Sequence, residues 1–217
     1  MAGYKHMSLA DQVFEQLEYN ILSGVYKRGE VISESRLSEE LGVSRTPIRE
    51  ALNRLVEEYL VTDSPSGTVV LGVTDKDMAD IYEIKRRIEP LAFAGVVENI
   101  TDDEIKQLKE IVDQQEFYAA KEDIEKVRDL DTLFHDMIYK SCGSRVYEGV
   151  LSSLHHKMMK ARKASLENEE RLDDSVEEHI SIYEAIASRN REKVDALVKH
   201  HLETAYHAFL SVKDNKE

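Results

Sequence analysis

The sequence predicts a mainly α protein: an N-terminal winged helix-turn-helix, then an all-α antiparallel helical bundle. Three observations carry this. Two short amphipathic segments meet at Gly42 between residues 35 and 60. A β-branched, turn-rich stretch follows them, and after Gly72 helical apolar periodicity runs almost unbroken. The boundaries implied are 8–73 for the winged helix-turn-helix and 74–213 for the helical bundle.

In the first segment, Leu37 and Leu41 share one face of a short helix, and Gly42 supplies the permissive backbone of a tight turn that Val43 can pack inside. The second segment reads apolar at Ile48, Ala51, Leu52 and Leu55, an i, i+3, i+4, i+7 stripe that must face a core. Ser44 is the expected N-cap, and Pro47 falls in the first turn, where no intrahelical N–H bond is lost. Arg45, Thr46 and Arg49 therefore cluster at the helix N-terminus, the end that a recognition helix offers to the major groove. A helical hairpin with solvated arginines would show the same spacing. Val61-Thr62 and Thr68 to Leu71, flanking Asp63-Ser64-Pro65-Ser66-Gly67, add a β-hairpin and so a wing.

The stretch ESRLSEELGVSRTPIREAL resembles the DNA-binding domain of GntR-like bacterial transcription regulators over roughly residues 8 to 73. The resemblance implies that Arg36, Arg45, Thr46, Arg49 and the wing glycine Gly67 contact double-stranded operator DNA. The wing departs from the family pattern, carrying Asp63, Ser64 and Ser66 where basic residues are usual.

The formal net charge of −14 opposes DNA binding in total but not in distribution. Residues 1–73 hold 7 Lys+Arg against 11 Asp+Glu, and residues 74–217 hold 22 against 32. Six of the seven N-terminal cations lie between Lys27 and Arg54, while acidic groups beyond a Debye length are screened. Strong salt sensitivity is expected. The single Cys142 allows no internal disulfide and reads as a small buried apolar residue. No apolar run reaches membrane-spanning length and no signal-peptide core is visible, so a cytoplasmic protein without membrane partners is expected. Residues 1–7, MAGYKHM, read as a disordered leader or expression remnant.

In the second domain, Ile81, Ile84, Ile88 and Leu91 mark a helix over about 75–99, and Thr101 to Glu104 is a capping box for the next, carrying Ile105, Leu108, Ile111 and Val112. Val127, Leu130, Phe134 and Ile138 mark a third, and Val146, Val150, Leu151, Leu154 and Met158 a fourth. Ser175-Val176-Glu177-Glu178 starts a fifth, after a charged loop expected at 167–174. Val194, Leu197, Val198 and Ala205 define the last. Short connections make this an antiparallel bundle.

Asp131 and His135, four apart, place a carboxylate and an imidazole on one helical face, and His179 and His201 lie on later helices. Three imidazoles and a carboxylate suit a divalent ion such as zinc, nickel, cobalt or manganese, with positions open to water or a ligand oxygen. Eight histidines in an acidic helical chain also produce such a pair by chance. The segments D-x-x-F-H at 131–135, EEHISIYEAI at 177–186 and KHHLETA at 199–205 resemble the FCD effector domain of FadR-like GntR regulators. The resemblance implies one divalent metal ion per chain on Asp131, His135, His179 and His201, completed by a small carboxylate effector. It also puts Arg162 at an arginine position directed into the effector pocket, where a guanidinium clamps a carboxylate, and Lys85 where an arginine is usual. Ordinary helix-surface charge is the alternative for both. Ser144 replaces a frequent asparagine. His155, His156, His200 and His207 fall outside the motif and are expected on solvated faces.

The expected function is a homodimeric, metal-dependent transcription regulator that senses a small organic acid. A regulator that senses the metal alone is the nearest alternative. A metallohydrolase or oxygenase is the distant one; no H-E-x-x-H-type motif supplies a general base, and no enzyme activity is expected.

Overall fold

The computed structural model describes residues 7–167 and 169–214, so the leader segment lies, except for Met7, outside the described residues. The chain divides into two compact units, Met1–Thr74 and Asp75–Glu217.

In the first unit, α1 (Leu9–Leu22) opens on a capping box in which the Ser8 hydroxyl accepts from the Asp11 N–H at 3.1 Å and Asp11 accepts from the Ser8 N–H at 3.2 Å. Helix α2 (Glu34–Leu41) ends at Gly42, whose φ of 66° is the left-handed conformation a C-cap requires. Helix α3 (Arg45–Glu57) follows from Ser44, which occupies the N-cap without a side-chain hydrogen bond. The stripe Ile48, Ala51, Leu52 and Leu55 is buried as its spacing demands, together with Leu17 and Leu37. Each such leucine or isoleucine contributes about 1.5–3 kcal/mol by leaving water. Arg54 ties α3 to α1, donating to Asp11 at 2.8 Å and lying over the Phe14 ring.

The wing is β2 (Val61–Ser64) and β3 (Gly67–Val70), antiparallel with Val61 opposite Val70. The sequence did not reveal β1 (Val31–Ile32), which pairs with β3 to give the order β1-β3-β2. Two residues are too few to display a period of two. At Gly67, φ is 127° and an added Cβ would lie 3.1 Å from the Ile32 carbonyl, so the positive φ and the close strand approach together favour glycine there.

The second unit contains α4 (Asp75–Asn99), α5 (Asp102–Ala119), α6 (Ile124–Ser141), α7 (Arg145–Lys157), α8 (Met159–Leu166), α9 (Glu169–Ala187) and α10 (Arg191–Asp214). The capping box at Thr101 and Glu104 is present. Three expectations are corrected. The 167–174 segment is not a loop, because α9 begins at Glu169; Leu172 and Val176 pack into a small core with Ala119, Val127 and Leu166, while Asp173, Asp174 and Glu177 form its solvated side. The fourth stripe divides into α7 and α8 at Met158. On α4 the inward face is Met78, Ile81, Tyr82, Lys85, Glu89 and Phe93, which leaves Ile84 and Leu91 exposed. Apolar residues on both faces gave two possible stripes, and the one that packs also carries charge.

Candidate functional site

The α2–turn–α3 unit presents Arg36, Arg45, Thr46 and Arg49 at the surface. Each arginine already has an acceptor. Arg49 forms a bidentate pair with Glu34, both contacts 2.8 Å; Arg36 reaches Glu30 at 2.7 Å and Glu40 at 2.6 Å; Arg45 donates to the Ser35 hydroxyl at 3.0 Å. Hydrogen bonds from Arg49 hold the Glu34 carboxyl below its usual range. These cations are exposed and preassembled, and a nucleic acid would have to exchange with the protein's own carboxylates to engage them.

The bundle interior is the opposite case. Helix α6 carries Asp131 and His135 one turn apart, α9 carries His179 and α10 carries His201, and all four side chains are buried. Nitrogens of His135, His179 and His201 lie within 4.8 Å of one another. Asp131 Oδ1 lies 3.7 Å from His179 Nε2 and 4.0 Å from His135 Nε2. The four sequence-predicted residues thus gather around His135, and Asp131, His135 and His155 form a second group whose ligand atoms lie within 4.8 Å of one another.

The opposite ring nitrogens explain why they stay aimed inward. His135 Nδ1 faces Glu89 Oε1 and the Tyr139 hydroxyl, both at 3.3 Å; His179 Nδ1 faces Gln115 Oε1 at 3.1 Å; His201 Nδ1 faces Glu178 Oε2 at 2.6 Å. An acceptor at Nδ1 places the proton there and leaves the Nε2 lone pair free, the arrangement that metal-binding imidazoles use. His179 Nε2 is buried with no hydrogen-bond partner, and its ring stacks on Phe134 at 4.3 Å. Burial pushes the His135 and His179 imidazoles well below their ordinary range, so both are neutral lone-pair donors at pH 7. Burial would raise the Glu178 carboxyl, but His201 and Arg171 outweigh it and hold it at about 2. By donor chemistry and by this orphaned nitrogen, the residues fit a divalent ion.

His155 corrects the sequence expectation. It is buried, not solvated, because Leu151, His155 and Met158 form the inward face of the α7–α8 junction while Val146 and Val150 face out. Its Nε2 lies 3.2 Å from Asp131 Oδ2 and, like that of His179, is buried without an aligned hydrogen bond. His200 and His207 are exposed as expected, and half-buried His156 faces Asp136 at 3.3 Å.

Arg162 donates to Asp131 Oδ2 and, at 3.1 Å, to the Thr132 hydroxyl. Burial lowers its guanidinium to about 9, which still leaves a cation at neutral pH. Lys85 is fully enclosed beside Glu89 Oε2 at 3.3 Å, the Tyr139 hydroxyl at 3.2 Å and His155 Nδ1 at 3.1 Å. Neither is surface charge. Both line a cavity of about 40 Å³ with Tyr82, Asp131, His135 and His155, room for a few waters.

Glu89, Tyr139, Gln115 and Glu178 were missed in the sequence. Three had a local signal: Glu89 is four residues beyond Lys85, Tyr139 four beyond His135, and Glu178 adjoins His179. Gln115 had none, since only the α5–α9 packing brings it to His179.

Residues 9–70 match the family model described as bacterial regulatory proteins, gntR family, and residues 80–204 match the FCD domain. The chain is 29% identical over 211 residues to the HTH-type transcriptional regulator YdhC of Bacillus subtilis, covering 94% of each protein. It is 30% identical over 185 residues to the gluconate operon transcriptional repressor of Bacillus licheniformis, covering 82% of this chain and 75% of that one. In structure it is similar to Escherichia coli McbR/YncC, with a TM-score of 0.82 at 24% identity, covering 94% of this chain and 98% of the other, a likeness of fold.

Proposed function

This chain belongs to the GntR family of bacterial regulatory proteins and is a DNA-binding transcription regulator with an FCD domain, and from that premise we propose that a divalent metal and a small organic acid control its operator binding. The observation that carries the metal reading is the inward convergence of Asp131, His135, His179 and His201, with the Nδ1 atom of each histidine turned to Glu89, Gln115 or Glu178. These four residues would hold zinc, nickel, cobalt or manganese, one ion per chain, and the bound ion would supply positive charge that favours an anionic ligand.

Arg162 supports a carboxylate as that ligand. Its buried guanidinium borders the cavity beside Asp131 and can turn a fork of donors to an acid. The small cavity favours a small acid, and larger ones require the lining side chains to move. The acid can change DNA affinity only by binding the DNA-competent and DNA-incompetent arrangements unequally.

At the reader, Arg45, Thr46 and Arg49 on α3 would address the major groove, Arg36 the phosphates and Gly67 the wing contact. A homodimer with cytoplasmic operator DNA as its partner completes the reading. Two-fold operators call for one, and exposed Ile84 and Leu91 on α4, with Val146 and Val150 on neighbouring α7, offer apolar area for it. No helix among the described residues is long and apolar enough to cross a membrane. Metal analysis of purified protein, followed by operator titration with metal and a panel of organic acids, tests the proposal. One ion per chain and an acid-dependent shift in operator affinity are expected.

A further inference from the structure

The bundle interior holds one imidazole more than a three-histidine, one-aspartate site uses, and its surroundings differ in kind from the rest. His135, His179 and His201 each turn Nδ1 to an acceptor. His155 turns Nδ1 to the Lys85 ammonium, which is a donor.

The three protons of Lys85 have three facing acceptors. These are the Tyr139 hydroxyl oxygen at 3.2 Å, His155 Nδ1 at 3.1 Å and the Glu89 carboxylate at 3.3 Å. The Tyr139 hydroxyl spends its own proton on Glu89 Oε1, so its oxygen is free to accept from Lys85. A buried Glu89 carboxylate requires a cation beside it, and Lys85 is the ammonium four residues away on the same helix. With Nδ1 accepting, the ring proton of a neutral His155 must sit on Nε2.

The two oxygens of Asp131 divide in the same way. Oδ1 faces Nε2 of His135 and His179, while Oδ2 faces Nε2 of His155 at 3.2 Å and the Arg162 guanidinium. One oxygen looks toward lone pairs and the other toward proton donors.

We infer that His155 is a positioning residue and not a metal ligand: Lys85 fixes it as the Nε2–H tautomer, and this Nε2, which lies 3.2 Å from Asp131 Oδ2 without forming an aligned hydrogen bond in this structure, needs only a small ring rotation to donate there beside Arg162 and turn Oδ1 to the metal. The role assigned to the metal rests on the reading above; the tautomer does not. Without the hydrogen bond, Asp131 can rotate and a competing fourth imidazole lone pair stands next to the site. Outer contacts of this kind typically change metal affinity about 10- to 100-fold.

Two-bond ¹⁵N–¹H correlation spectra of histidine-labelled full-length protein test this, with and without added zinc, using His155→Gln to assign the signals. His155 should show a protonated Nε2 and a bare Nδ1 in both states, whereas zinc should shift Nε2 of His135, His179 and His201, whose protons lie on Nδ1. A protonated Nδ1 or a zinc-shifted nitrogen on His155 would overturn the inference while leaving the metal reading intact. Failure of zinc to bind would overturn the metal reading, and the tautomer in zinc-free protein would still decide the role of His155. In chelator competition, His155→Gln, which keeps a donor, should bind one zinc within about threefold of wild type, and His155→Phe should bind one zinc about 10- to 100-fold more weakly. Equal losses in both variants would count against the donor role.

Discussion

The two functional regions use the same chemistry, carboxylates paired with cations, on opposite sides of the solvent boundary. At the reader, Arg49 and Glu34 form a bidentate pair with side chains 64% and 31% exposed. In the bundle, Lys85 and Glu89 pair at 3% and 1%. Water competes for the first pair, so its partners exchange readily and its net worth is small. The second is shut away from bulk water, so removing either partner strands a charge. Under the proposed function, a surface that trades its partners for DNA calls for the first kind, and a centre whose donors stay fixed calls for the second.

The sharpest way to break this comparison is to remove one member of each pair. Lys85→Met should leave Glu89 buried without its cation and destabilise the protein by about 3–5 kcal/mol in urea unfolding. Glu34→Gln should shift the melting temperature by less than about 2 °C, because an exposed pair contributes little. Comparable losses would mean that burial does not separate the two regions.

Next in size is the metal. Wild type in zinc at a hundredfold excess over its dissociation constant should gain about 2.7 kcal/mol of stability, and His135→Ala with His179→Ala should lose both the gain and the bound ion by elemental analysis. Full metal content in that double variant would remove these ligands from the account.

At the reader, Arg45→Ala and Arg49→Ala should each weaken specific operator binding roughly tenfold to a hundredfold, with circular dichroism unchanged. Arg36→Ala should weaken binding across all sequences and flatten its salt dependence. Unaltered affinity in the Arg45, Arg49 double variant would exclude α3 as the reading helix.

The smallest effect separates a surface cap from both sites. Thr101→Ala should cost about 1 kcal/mol by removing one side of a capping box. Backbone and side-chain hydrogen bonds from Thr101 hold the Glu104 carboxyl below its usual value near 4.5. Its contribution is therefore present above that value and fades as pH falls through the lower folded one. The variant should unfold with less acid sensitivity than wild type, while its metal content stays the same.

The same contrast governs what could be read from sequence. Exposed placement follows local spacing, so the surface positions of Arg45, Thr46 and Arg49 were legible from an amphipathic helix, and the burial of Ile48, Ala51, Leu52 and Leu55 from its opposite face. The ligand-type residues Asp131 and His135 were visible as a helical pair. His155 was misread because two adjacent histidines, His155 and half-buried His156, give no sign of which one faces inward, and α4 was misread because its packed face carries Lys85 and Glu89. Buried charge imitates a surface pattern. Gln115 and β1 depend on partners distant in sequence and leave no periodic trace.

The central claim is that metal, acid and operator are linked through one chain. Fluorescence-anisotropy titration of operator DNA tests it most directly, using zinc-loaded and chelated protein, each with and without the acid that gives the largest thermal shift in a screen. The account predicts that the acid changes operator affinity several-fold in zinc-loaded protein and has no effect after chelation, with Arg162→Ala keeping the zinc but losing the response. An acid response of equal size in metal-free protein, or an operator affinity that follows zinc alone whatever acid is present, would contradict it.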